Sequence, residues 1–285
     1  MPPTALGLVL VAAILHAGWN LFVKRARQKQ IFTWWALLVG VVCFSPLLLM
    51  SLRFPMQIWF YAVCSGLVEA AYYIALTRAY DKADFSLVYP LARGSAPAFL
   101  AIWAILFLGE RPRPGGYIGL ALLVFGLVVV GGGSLWALRK IAVVTTSGVG
   151  IAIGVAICIS IYSVIDGAAV HLTAPMPYTV LVIGLSTLFI SPIMLLPYGR
   201  EAIVAEWHTH WLLIIVAGIL MLLSYMLVLQ AYSIARVSYA GAIREISVIF
   251  AALIGWHWLR EDFGAMRTVG AILIFIGILI IAIFG

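Results

Sequence analysis

The sequence predicts an all-α membrane protein: ten transmembrane helices arranged as two inverted five-helix repeats. Composition, ten long apolar runs and a repeated pattern of polar residues predict it. The 285 residues are 65% apolar and only 9% charged, against roughly 45–50% and 25% in soluble domains. Lipid is the natural solvent for such a chain. In lipid every backbone polar group must be satisfied internally, which helices do segment by segment.

A crossing helix needs about 20 apolar residues. Runs of that kind fall near 4–23, 31–51, 57–77, 85–108, 114–133, 147–166, 178–198, 210–231, 237–258 and 265–284. Most links are short, so consecutive helices should be antiparallel neighbours; the longest are 134–146, 167–177 and 198–209. The first run is followed directly by Lys24, Arg25, Arg27 and Lys29. It reads as a retained first helix, not a cleaved leader. Trp34, Trp35, Trp59, Trp136, Trp207 and Trp211 stand near span ends, the place of an interfacial aromatic belt.

The net charge of +7 does not indicate nucleic acid, because the basic residues occupy short loops and form no continuous surface. They encode orientation instead. Eleven of the 17 Lys and Arg residues lie in odd-numbered loops and four in even-numbered loops and termini. Both termini are therefore expected outside, with the odd loops in the cytoplasm. The location expected is the inner (cytoplasmic) membrane, in a monomer or homodimer. Cys43, Cys64 and Cys158 all sit inside apolar runs; they fit neither a disulfide framework nor a zinc site and read as small buried residues.

The halves, 1–136 and 137–285, repeat one another. Ala79-Tyr80, Arg93, Phe99 and Gly109-Glu110-Arg111 in the first answer to Ala231-Tyr232, Arg244, Phe250 and Arg260-Glu261-Asp262 in the second. Arg93 to Glu110 and Arg244 to Glu261 are both 17 residues. Gly119 and Gly126 answer to Gly270 and Gly277, small residues that let helices approach closely. Five spans per copy is odd, so the second copy must insert upside down. Inverted repeats place a binding site near the midplane on a pseudo-twofold axis and suit alternating access.

The ten-span layout, the Gly109-Glu110-Arg111-Pro112 stretch and the opening His16-Ala17-Gly18-Trp19-Asn20 with Lys24 resemble the drug/metabolite transporter superfamily, in its EamA-like branch. The resemblance covers essentially the whole chain. Its motifs specify fold better than cargo, and Arg260-Glu261-Asp262 departs from them. It implies a secondary carrier of a small solute: members export amino acids and related metabolites, and relatives move choline, nucleotide sugars or triose phosphates. Some proteins with this opening are linked to phosphonate utilisation.

Ionisable residues inside a span cost at least roughly 2.5–3.5 kcal/mol, so each demands a reason. Arg93 lies about nine residues into its span, roughly 13 Å deep at 1.5 Å per residue; Arg244 matches it, with Glu245 beside it. A guanidinium fork suits a carboxylate or phosphonate. The competing reading is a structural ion pair with Glu69 or Glu245. Glu69, with Tyr72 and Tyr73 one turn on, offers charge and cation–π attraction to an ammonium group, or a place for a coupling proton. Tyr89 in the fourth span is counted with these. Pro90 and Pro97 should kink that span and free carbonyls beside Arg93. Trp19 and Asn20 share a polar stripe with His16 and Lys24, either as substrate contacts or as interhelical glue. Asp166, near the end of the sixth span, is expected to reach the interface, and Trp256, His257 and Trp258 to belong to the aromatic belt.

No phosphate-binding loop, metal-binding His pair or nucleophile turn is present, so neither an ATP-driven pump nor a cofactor is expected. The expected partners are membrane lipid, a small-molecule substrate, and a coupling proton or counter-substrate. An amino acid or similar zwitterion or organic anion leads. A quaternary amine such as choline is the alternative, ahead of an intramembrane enzyme or a receptor without flux.

Overall fold

A computed structural model describes the chain except residues 52–53, 83–84, 139–145, 248, 250–264 and 285, and describes no side chains at 24, 77–94, 130–149, 152 and 250–267. Ten α-helices are present among the described residues: α1 (Pro3–Arg25), α2 (Lys29–Phe44), α3 (Met56–Lys82), α4 (Phe85–Phe107), α5 (Pro114–Leu138), α6 (Thr146–Ala169), α7 (Pro175–Leu195), α8 (Arg200–Tyr232), α9 (Val237–Arg244) and α10 (Ala265–Phe284). Prolines open several of them, as at Pro3 and Pro175, where a missing N–H costs nothing. Large apolar side chains such as Phe60, Leu106, Phe125 and Leu188 point outward, the surface that lipid requires.

The neighbours reveal the symmetry. Raising each helix number by five, modulo ten, turns α1–α8 into α6–α3, α2–α8 into α7–α3, and α4–α6 into α9–α1; α2–α7, α4–α9 and α5–α10 map onto themselves. All of these pairs are in contact. The glycines give the sense of the second copy. A Cβ on Gly119 would stand 2.8 Å from the Gly277 carbonyl oxygen, and one on Gly126 the same distance from that of Gly270. Thus α5 and α10 run antiparallel, as related helices of inverted copies must. The four glycines predicted as packing residues do that work.

Several boundaries differ from expectation. The long link at 198–209 is helical: α8 begins at Arg200 and bends at His210, whose φ of −128° and ψ of 17° break the helix. The second span closes in a 3₁₀ turn, Ser45–Ser51, because Pro46 has no N–H to continue the ladder. Trp34 and Trp35 are partly buried and bond within the bundle. Their indoles donate to Ser191 Oγ at 2.8 Å and to the Ile203 carbonyl at 3.1 Å, and Trp35 also packs on Trp207. Trp59 and Trp211 do face outward. Cys43 is exposed, not buried, and all three cysteines are unpaired. Trp256, His257 and Trp258 lie outside the described residues.

Gly109, at φ 64°, reverses the chain after α4, a conformation that glycine adopts without strain. Glu110 is thereby aimed across the repeat boundary. Its carboxylate accepts from the backbone N–H of Val237 and of Ser238 (3.3 Å for the latter) and from the Ser238 hydroxyl. These are the orphan donors at the start of α9, where Arg236 supplies no side-chain cap. The Gly-Glu-Arg-Pro stretch is therefore a cap lent by one repeat to the other.

Glu110→Ala should lower the thermal midpoint in detergent by the equivalent of about 0.5–2 kcal/mol, the worth of a helix cap. An unchanged midpoint would mean that the cap is dispensable. Gly126→Val should destabilise by about 1–3 kcal/mol through overpacking, whereas Gly7→Ala, with open space around it, should not. Tryptophan fluorescence during heating reads both.

Candidate functional site

A small cavity lies between α1, α3, α6, α8 and α9. Glu69, Tyr72 and Tyr73 enter it from α3, Trp19 and His16 from α1, and Arg244 from α9. Two residues that sequence reasoning missed, Tyr162 on α6 and Tyr225 on α8, complete its polar wall. Met221, Ser224 and Val228 supply the rest of the α8 side. The signal for the tyrosines was present: a hydroxyl in an apolar span needs a partner as a charge does.

Arg244 reaches the cavity because α9 stops there. Glu245 adopts φ −72° and ψ −3°, and the next amides turn back three residues, Glu245 N–H to the Ala242 carbonyl at 3.1 Å and Ile246 N–H to that of Ile243 at 3.0 Å. Tight turns of this type satisfy the backbone while changing helix direction. The helix α4 contains Pro90 and Pro97 within its range, and the ninth span, which has no proline, is interrupted after Arg244. Arg244 is 4% exposed and Glu245 1%, and Arg244 Nε donates to Glu245 Oε1 at 3.3 Å. The ion pair anticipated as one alternative is thus present, with the guanidinium still on the cavity wall.

Glu69 is 3% exposed, and its Oε2 has no hydrogen-bond partner among the described residues. The aromatic rings form a continuous run beside it: Tyr72 lies 4.9 Å from Tyr73 and 5.8 Å from Tyr162, and Tyr162 lies 6.0 Å from Tyr225. Asp166 does not reach the interface. It is fully buried, accepting from the hydroxyls of Tyr178 at 2.8 Å and of Tyr225. Those two donors replace the water it would find at the interface. Glu69, Asp166 and Arg244 all feel one another's charge.

Trp19 is buried and meets His16 edge to face at 4.8 Å. Asn20 stands apart from the cavity wall; its Nδ2 donates to the His16 carbonyl at 2.8 Å, a bond within its own helix. The backbone of α4 carries Arg93 and Tyr89, but their side chains, like that of Lys24, lie outside the described residues.

The cavity measures about 30 Å³, room for about two waters and far below the roughly 300–1,000 Å³ of a preformed ligand pocket. In this conformation it is too small to hold a metabolite. At the bundle end that bears both termini, a wider depression of about 600 Å³ is bordered by Glu110, His171, Arg236 and Tyr239.

The model of the EamA-like transporter family matches residues 3–132 and 146–283, one stretch in each half. The pseudopaline exporter CntI of Pseudomonas aeruginosa (strain UCBPP-PA14) is 27% identical over 213 residues, 74% of this chain and 69% of that protein. An uncharacterised transporter of Sinorhizobium sp, from a cobO 3′ region, is 32% identical over 76 residues, which is 27% of this chain and about half (53%) of that one. A solved crystal structure covering the whole of both chains superposes with a TM-score of 0.75 at 17% identity, a likeness of fold alone. The protein is a multi-pass membrane transporter, and the chain belongs to the EamA-like transporter family.

Proposed function

We propose that the protein is a secondary carrier that moves a small zwitterionic metabolite or organic anion, an amino acid first among them, across the cytoplasmic membrane by alternating access. The carrying observation is that a guanidinium, Arg244, and a carboxylate, Glu69, face one buried cavity lined by aromatic rings. Arg244 takes the anionic group through charge-assisted hydrogen bonds. Glu69 and the tyrosines take the ammonium end by charge and cation–π attraction. Arg93, Tyr89 and Trp19 belong to the same proposed set; Glu245 acts by holding Arg244.

A cavity of about 30 Å³ cannot enclose such a solute, so binding requires the two halves to part. Inverted copies open to one side and then the other as each takes the conformation of its mate. With the odd loops in the cytoplasm, the 600 Å³ depression faces outward. The Pseudomonas relative is named an exporter, and export is the direction we assign. Quaternary amines are the second reading, favoured by the aromatic wall around Glu69; they lack the anionic group for which Arg244 is suited.

Proteoliposomes loaded with glutamate, aminoethylphosphonate or choline separate these readings. The first two should exchange, and choline should not. Arg244→Gln should reduce exchange roughly ten- to hundred-fold, as the loss of a charged hydrogen bond worth about 1.5–3 kcal/mol would, and Arg244→Lys should restore little of it because lysine lacks the fork. Removing Arg244 alone strands Glu245, so the double variant Arg244→Gln/Glu245→Gln guards against a folding defect. Full exchange by both variants would remove the anion-binding role. Exchange of choline alone would move the assignment to quaternary amines.

A further inference from the structure

The cavity holds more buried negative charge than the zwitterion reading uses. We propose that Glu69 is a loadable proton site, joined through the Tyr225 hydroxyl to Asp166. This rests on the carrier reading and names the coupling ion of the same cavity.

Hydrogen-bond directions make the assignment. Asp166 accepts on both oxygens, Oδ1 from Tyr178 and Oδ2 from Tyr225. It is therefore the member of the pair that carries the negative charge. The single hydroxyl hydrogen of Tyr225 is spent on Asp166, yet Tyr225 also lies against Glu69. A hydroxyl standing between two carboxyls can donate to one of them at a time, and while it serves Asp166 the Glu69 Oε2 goes without that donor.

Burial and charge point the same way. Glu69 Oε2 is an acceptor without a partner among the described residues, at a depth where an unsatisfied polar group costs about 1–3 kcal/mol and a charged one more. A cavity of about 30 Å³ has no room for an ammonium-bearing solute, whereas a proton fits. Three buried carboxyls, Glu69, Asp166 and Glu245, surround a single described guanidinium, Arg244. Counting Arg93 as well would still leave one negative charge in excess, and one proton removes it.

Each element packed around Glu69 contributes to this balance. Its own helix brings Tyr72 and Tyr73, and α1 brings His16, the other cavity group able to accept a proton. The α6 helix brings Tyr162 and Asp166, α7 brings Tyr178, α8 brings Tyr225, and α9 brings Arg244 with Glu245. Loading forms an O–H bond on Glu69. Passing the proton on transfers it to the Tyr225 oxygen while the Tyr225 hydrogen moves to Asp166 Oδ2, so that Glu69 becomes ionised, Asp166 neutral and the tyrosine unchanged.

Infrared difference spectroscopy of the purified full-length protein tests this without a substrate. The carbonyl stretch of a buried protonated carboxyl should appear at low pH and vanish as pH rises. It should be missing in Glu69→Gln and shifted in frequency in Tyr225→Phe, which loses the hydroxyl between the two carboxyls. His16→Gln should leave it intact, since imidazole contributes no carboxyl band. A wild-type protein without a titrating band, survival of the band in Glu69→Gln, or its loss in Glu245→Gln alone would overturn the proposal. Should Glu69→Gln fail to fold, the wild type and Tyr225→Phe still decide. In proteoliposomes, glutamate exchange that a pH gradient cannot drive would reject proton coupling while leaving the carrier reading intact. An intact band with no exchange of any probe would reject the carrier reading and keep the proton site.

Discussion

A carboxylate buried among hydrocarbon side chains has no water to solvate it, and four ionisable side chains of this protein must therefore solvate one another. Glu69, Asp166, Arg244 and Glu245 are each under 5% exposed in a bundle whose outer face is apolar. Moving such ions out of water costs several kcal/mol apiece unless partners are arranged beforehand. The arrangement comes from five helices at once. Tyr178 of α7 and Tyr225 of α8 serve Asp166, while the break after α9 sets Arg244 against Glu245. Helix packing and polar chemistry are consequently not separable here: displacing any one of these helices leaves a charge without its partner.

Contacts between the two repeats differ in character. Among the pairs that cross between repeats, α2 with α7, α4 with α9 and α5 with α10 each join a helix to its own counterpart and so lie on the pseudo-twofold axis. The antiparallel glycine contacts of α5 and α10 bring two backbones together with no side chain between them, a contact suited to holding. Glu110 binds the other repeat by polar bonds to a helix start, a contact suited to making and breaking.

The interruption of α9 also fits this division. Its tight turns keep the backbone satisfied inside the bundle, and irregular backbone at membrane depth is tolerated where protein or a cavity surrounds it. Ending the helix at Arg244 points its last side chain at the cavity. A continuous helix would have carried the following residues along the same axis.

The sequence by itself determined the membrane character, nearly all of the spans, the repeat and its inversion, because lipid imposes span length and an odd number of crossings imposes the sense of the second copy. It also marked Glu69, Tyr72, Tyr73, Trp19 and Arg244 as polar or aromatic groups needing a reason to be inside, and these line the cavity. Only the tertiary structure decided which partners satisfy them. Asp166 looked like an interface residue because it stands near a span end, but its surroundings come from α7 and α8, 12 and 59 residues away. Glu110 looked like a loop residue of a family motif, and its role depends on a helix start 127 residues on. The break after α9 falls in a span without proline, so no local kink signal announced it. Solvation by lipid acts on each segment independently and is legible in one dimension; pairing of buried charges acts between segments and is not.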